Sequence, residues 1–214
     1  MIHVRSFTFN GFQENTYLVY GESKSCVIID PGCYDRSEQQ ELTSFIANNG
    51  LNVKAVWNTH CHIDHILGNA FCCETYGVSL AAHKEELFTL SLADRSAQMY
   101  GLEGYIPSPE PTVWLEDHQE IILDDIQFRV IFGPGHAVGH IAFYNQEQHV
   151  LIGGDILFRG SFGRTDLPGG SMEVLKKTIL ERLFTLPDET VVYSGHGPAT
   201  TIGEEKRTNY ILEF

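Results

Sequence analysis

Three histidines and an aspartate fall within the six residues His60-Cys61-His62-Ile63-Asp64-His65, directly after an apolar, strand-like run from Val53 to Trp57. This segment constrains the fold more than any other. Imidazoles and a carboxylate crowded this closely are costly to desolvate and repel one another when ionised, unless a cation compensates them. A His-rich surface loop would scatter its polar residues and leave no trace elsewhere in the chain. Here three later strand-like runs also end in metal-binding side chains framed by glycine: Gly135-His136, Gly154-Asp155 and Gly195-His196-Gly197. Any one of these is weak alone, because a lone histidine at a strand end is more often structural than a ligand. Together with the His60–His65 cluster they point to one site, assembled where several strands end.

The pattern of elements says what carries those ends. Ile2 to Phe9, Asn15 to Tyr20 and Cys26 to Asp30 read as strands, the last two joined by a turn at Gly21–Lys24. Arg36 to Asn49 carries Leu42, Phe45 and Ile46 at helical spacing and stops at Gly50. A helix is expected from Ile66 to Tyr76, a short strand from Val78 to Ala82, and helix again from His83 to Tyr100. Gly101 to Pro111 reads as a surface loop, whose Tyr105, with Tyr100 before it, either lines a groove or packs the loop down. In the second half, Glu120 to Phe132 is a hairpin about Asp124-Asp125, and Ile141 to Tyr144, His149 to Ile152 and Thr190 to Tyr193 are strands. Ser171 caps a helix reaching about Phe184. Alternating strands and helices without a compositional break predict an α/β fold, with residues 1–214 forming one domain of two similar halves.

Composition narrows the partners. Lys and Arg total 14 against 28 Asp and Glu, a formal net charge of −14, which disfavours nucleic acid and anionic membrane surfaces. The five cysteines form no framework spacing, and Cys72 and Cys73 are adjacent, which fits buried thiols in a reducing compartment. No basic-then-apolar leader precedes Phe12, and no apolar run has the length of a bilayer span. The expectation is a cytoplasmic protein, a monomer or small homo-oligomer, acting on a small molecule.

The motif His-x-His-x-Asp-His, followed by Pro134-Gly135-His136, Gly154-Asp155 and Gly195-His196-Gly197, resembles the metallo-β-lactamase superfamily over essentially the whole chain. That resemblance implies a four-layer αββα sandwich with a dinuclear site at one edge. His60, His62 and His136 would take one divalent ion, Asp64, His65 and His196 the other, with Asp155 bridging. Nitrogen and oxygen donors of this mix suit zinc, and also iron or manganese. Asp30 and His140 stand where the superfamily often has supporting residues, which would orient ligand imidazoles through the free ring nitrogen. For His140 an ordinary satisfied core or surface position fits equally. Cys61, between two ligands, would point away from them into the packing.

Two divalent ions about 3.5–4 Å apart lower the pKa of a shared water from 15.7 towards 7, which implies a hydrolase with Asp64 and Asp155 central to catalysis. Asn58-Thr59-His60, Gly154 to Phe158, Gly163-Arg164-Thr165-Asp166 and Gly195 to Pro198 resemble short relatives of hydroxyacylglutathione hydrolase (glyoxalase II). The implied substrate is a thioester of the S-lactoylglutathione type. Arg164 is the candidate for gripping a substrate carboxylate, against a plain salt bridge with Asp166. The chain ends soon after His196 and lacks the basic C-terminal region of the longer glyoxalase II enzymes. Three other readings stay open. One is a persulfide dioxygenase holding one iron through His60, His136 and Asp155. The others are a lactonase and a metal-stabilised binding protein without catalysis.

Overall fold

The computed structural model describes residues 1–214. Strands β1 (His3–Phe9), β2 (Glu14–Tyr20) and β3 (Ser25–Ile29) pair antiparallel, and the Gly21–Lys24 turn joins the last two. Helix α1 (Arg36–Asn48) starts at Asp35, whose carboxylate accepts from the backbone N–H groups of Ser37 and Glu38 while the Glu38 side chain reaches back to Asp35. Such a cap is worth about 1 kcal/mol. Strands β4 (Asn52–Trp57), β5 (Leu80–Ala82) and β6 (Val113–Trp114) then add in parallel, giving a six-stranded sheet in chain order.

The second sheet repeats the plan. Strands β7 (Glu120–Leu123), β8 (Ile126–Phe132), β9 (Ile141–Asn145) and β10 (Val150–Gly154) pair antiparallel in sequence. After a small hairpin of β11 (Leu157–Phe158) and β12 (Ser161–Phe162), β13 (Val191–Ser194) joins β10 in parallel, and β14 (Thr200–Thr201) closes the edge.

Side chains alternate faces along a strand, and that periodicity builds the layers. Val27 and Ile29 of β3 and Ile141 and Phe143 of β9 enter the core between the sheets. Their neighbours Cys26 and Ile28 face Leu42 and Ile46 of α1, while Ala142 and Tyr144 face Leu175 and Ile179. The result is the αββα sandwich of the metallo-β-lactamase fold. Each fully buried aliphatic side chain contributes about 1.5–3 kcal/mol.

Two helices differ from their sequence outlines. The span expected from Ile66 to Tyr76 begins at Ile63 and breaks into α2 (Ile63–Ile66) and α3 (Asn69–Tyr76). At the break, the Gly68 N–H donates to Pro31 O at 2.7 Å, and a Cβ there would stand 2.5 Å from Cys33 Sγ. The span from His83 to Tyr100 likewise splits into α4 (Glu86–Leu90) and α5 (Ala93–Met99). The bend lets α4 bury Glu86 while α5 seats Ala93 and Ala97 against Cys61, Ile63 and Ile66. Ser171 caps α6 (Met172–Thr178) as expected, and the helix continues as a π turn over Ile179–Leu183. Helix α7 (Ile202–Thr208), the β11–β12 hairpin and the short edge strands β6 and β14 had no clear periodic signal. No helix is long and apolar enough to cross a membrane.

Candidate metal centre

Strands β4, β8, β10 and β13 all deliver their following loops to one rim, and there the seven residues expected as ligands converge. His60, His62 and His136 present donor atoms within 4.8 Å of one another, and so do Asp64, His65 and His196. Asp155 lies between the two groups. Its Oδ2 is 3.5 Å from His136 Nε2 and 3.5 Å from His196 Nε2, and its Oδ1 is 3.5 Å from His65 Nε2. Asp64 Oδ2 is 3.1 Å from His196 Nε2.

In four of the five histidines the outward ring nitrogen is held by the protein. His65 Nδ1 meets Asp30 Oδ2 at 3.2 Å, His60 Nδ1 meets Thr59 Oγ1 at 3.1 Å, and His196 Nδ1 meets Gln13 O at 3.2 Å. His136 Nδ1 donates to the carbonyl of Arg164 at 2.7 Å, which leaves its Nε2 unprotonated. That Nε2 faces His62 Nδ1 at 2.8 Å and His60 Nε2 at 3.3 Å. Fixing the outer nitrogen sets the tautomer that turns a lone pair inward.

The electrostatics call for a cation. Burial, reinforced by neighbouring histidines, pushes His60 well below its ordinary value and His62 down to about 3, and burial also lowers His136. These rings therefore stay neutral and cannot relieve their own crowding. Burial also opposes charge on His65 and on Asp155, but each is outweighed by the other and by Asp64 or His136. His65 is consequently raised and Asp155 depressed. His65 Nε2 and Asp155 Oδ1 are buried with no hydrogen-bond partner. Unpartnered buried donors and acceptors are costly, and a nitrogen–oxygen set oriented this way fits divalent cations.

The supporting residues divide in two. Asp30, at a positive φ of 50°, accepts from Thr59 N–H at 2.7 Å and Thr59 Oγ1 at 2.6 Å while touching His65, the orienting contact expected of it. His140 does something other than expected. It makes no hydrogen bond to a ligand imidazole; its Nε2 accepts from the backbone N–H of Asp155 at 3.0 Å and its ring stacks on His60, centroids 4.7 Å apart. The chain turn after β10 brings that amide, and not a ring nitrogen, to His140 Nε2. Two glycines permit the close approach. A Cβ at Gly195 would fall 2.1 Å from Asp155 Oδ1, and one at Gly154, with φ of +50°, would fall 2.3 Å from Thr59 Oγ1.

Sequence reading missed two buried acids. Glu86 accepts from Cys61 N–H at 2.6 Å and Gly139 N–H at 2.7 Å, tying together the two loops that carry His60–His65 and His136. Glu14, fully buried, lies with Oε1 3.8 Å from His65 Nδ1 and takes a hydrogen bond from Thr16 on Oε2. An acid opening the apolar strand β2 was the available signal for Glu14; Glu86 sits in an unremarked polar stretch and had none. Cys61 points into the packing as expected, and all five cysteines are free.

The site opens into a cavity of about 700 Å³ walled by Phe12, Met99, Tyr100, Phe158, Phe162 and Leu167, with Asp64, His62, His136, Asp155 and His196 on its floor. Tyr100 is part of that wall, whereas Tyr105 packs its loop against the apolar cluster that includes Cys61 and Ile66. Arg164 lines the cavity, but its guanidinium is engaged by Asp166 through two contacts of 2.6 Å.

Residues 9–196 match the profile of the metallo-beta-lactamase superfamily. The chain is 35% identical to hydroxyacylglutathione hydrolase GloC of Haemophilus influenzae, over 99% of this chain and 98% of that protein. Among solved structures it resembles BLEG-1 B3 metallo-beta-lactamase, with a TM-score of 0.90 and 32% identity, covering 99% of this chain and 100% of that one. It also resembles TTHA1623 in a di-iron-bound form, with a TM-score of 0.86 and 39% identity, covering 97% and 99%. The profile match and the GloC relative extend over the same strand-end histidines and aspartates that the geometry gathers, and the chain belongs to the metallo-beta-lactamase superfamily.

Proposed function

We propose that the protein is a divalent-metal-dependent hydrolase of thioesters of the S-lactoylglutathione type. His60, His62 and His136 would hold one ion and Asp64, His65 and His196 a second, with Asp155 placed between the two sets. One observation carries this reading: Asp155 stands 3.5 Å from ring nitrogens of both three-residue groups, at the floor of a large open cavity. Two such ions, when bound, lower the pKa of a shared water towards 7 and so supply hydroxide at neutral pH.

The chain's own residues do the rest. Asp64 and Asp155, both held below the usual carboxylate range, stay ionised as anchors. The carbonyl of Arg164 keeps His136 in the tautomer that binds through Nε2. Apolar walls at Phe12, Phe158 and Phe162 accept the acyl and carrier chains and limit bulk water. A thiolate leaves without a proton donor, whereas an amine needs one, so a site without a separate general acid suits thioesters. The 35% identity to GloC, over 99% of this chain and 98% of that protein, supports the same substrate class.

The test is S-lactoylglutathione hydrolysis by the purified protein, followed as thiol release, with elemental analysis of the same sample. Turnover with close to two divalent ions per chain is expected; no turnover in fully loaded protein overturns the proposal. Zinc, iron and manganese all suit these donors, and the di-iron form of TTHA1623 gives iron particular weight. The second reading, persulfide oxidation with one iron at His60, His136 and Asp155, draws on the 3.3 Å and 3.5 Å spacing of those donors. Oxygen uptake with a persulfide and one iron per chain would favour it.

A further inference from the structure

The cavity is walled on one side by α5, and the helix separates charges by face. Leu92, Arg95, Ser96 and Met99, spaced three and four apart, line the large cavity. Asp94 lies on the other side, in a smaller cavity of about 440 Å³ with Gln98 and Tyr105. Arg95 is thus turned away from its acidic neighbour. It makes no salt bridge and no hydrogen bond within the chain, while the only other guanidinium in the cavity, that of Arg164, has its fork filled by Asp166 at 2.6 Å on both arms. In a chain of net charge −14, an anionic substrate is repelled on approach, and Arg95 is the uncompensated cation where it must dock.

We propose that Arg95, and not Arg164, holds the carboxylate end of the substrate, so that the site selects thioesters whose thiol carrier is anionic. This rests on the hydrolase reading above and assigns its specificity. A planar guanidinium with all five N–H donors free binds a carboxylate through two parallel hydrogen bonds. Ser96 adds a hydroxyl beside it, and Met99 and Tyr100 continue as an apolar rail along which the rest of the carrier lies. Because Arg95 is remote in sequence from every metal-binding residue and sits on a helix, it acts on binding and leaves the reacting centre alone.

The experiment compares the metal-loaded protein with its Arg95→Ala, Arg95→Lys and Arg164→Ala variants on two substrates sharing one acyl group. These are S-lactoylglutathione, which is anionic, and the lactoyl thioester of N-acetylcysteamine, which is neutral. Arg95→Ala is expected to raise KM for the anionic substrate about tenfold or more, the loss of one charge-assisted contact. kcat and the neutral substrate should stay within about twofold, and Arg95→Lys should recover part of the loss. Equal effects on both substrates, no effect, or a larger KM rise from Arg164→Ala than from Arg95→Ala each overturn the assignment. Calorimetric binding of S-methylglutathione, which cannot be hydrolysed, separates the two levels of inference. If the wild-type protein hydrolyses neither thioester, the hydrolase reading falls, and Arg95 is then judged by whether Arg95→Ala weakens this binding about tenfold or leaves it unchanged.

Discussion

His140 accepts a hydrogen bond from the backbone N–H of Asp155 at 3.0 Å while its ring lies stacked on that of His60. One fully buried imidazole therefore sets both the carboxylate between the two donor groups and a ring belonging to one of them. Its acceptor nitrogen must stay unprotonated, and burial keeps the ring neutral, well below its ordinary pKa. With Nε2 accepting, the proton sits on Nδ1, which has no partner. The protein bears that cost at the point where Asp155 is aimed.

His140→Phe keeps a flat ring against His60 and removes the acceptor. The Asp155 amide is then buried and unsatisfied, costing about 1–3 kcal/mol of stability. Metal affinity should fall about 10–100-fold, as is usual when a group orienting a ligand is lost. Competition against a chelator and urea denaturation measure the two effects; unchanged affinity would show that the contact is dispensable.

Gly195→Ala puts a methyl 2.1 Å from Asp155 Oδ1 and 2.7 Å from His65 Cε1. Neither neighbour is the free end of a flexible side chain, so the carboxylate must swing out of place. Loss of metal affinity by at least about tenfold is expected, together with loss of hydrolysis. A variant with normal metal content and rate would mean the rim is softer than its packing implies.

Glu86 supplies a pH signature. Burial pushes its carboxyl up to about 7, against the lowering by the Cys61 and Gly139 amides. The unfolded chain loses this proton near the ordinary value of about 4.3, so between there and about pH 7 the folded state holds more protons than the unfolded one. Folding stability then falls as pH rises through that window, by at most about 1.4 kcal/mol per pH unit. Glu86→Gln cannot ionise and should lack this component. Stability of both proteins is measured in urea at several pH values from 5 to about 7.5, and the wild-type value minus the Glu86→Gln value should fall as pH rises through the window. Parallel profiles would remove Glu86 from the account.

Asp64→Ala and His65→Ala each delete one donor of the second group and should abolish thioester hydrolysis while leaving the sandwich folded, as circular dichroism would register. Near-native turnover in either variant counts against a dinuclear mechanism. Chelation of the wild-type protein should lower its melting temperature and metal return should restore it, because an ion present at about 1,000 times its Kd stabilises the folded state by about 4 kcal/mol.

The strands and helices were legible because apolar runs and helical spacing are local, whereas the four layers were what the resemblance implied. β3, β9 and β10 are buried on both faces, so that Val27 and Phe143 go between the sheets while Ile28 and Tyr144 go under the helices is decided by packing. The two expected helices that broke are held by contacts from far along the chain. Gly68 is held by Pro31, and Glu86 reaches Cys61 and Gly139. Local spacing carries no trace of either.

The same division runs through the site. His60, His62, Asp64, His65, His136, Asp155 and His196 stood out in the sequence because residues able to bind metals recurred, beside glycine, where apolar runs stopped. Which atoms meet is another matter. That Asp155 stands between two groups of donors, that His140 holds an amide, and that Arg164 is bound to Asp166 while Arg95 is free follow only from the packed chain. Residue type and order determine what chemistry is available. Distance and burial decide which charges are answered within the protein and which are left to meet a ligand, since electrostatic strength depends on both.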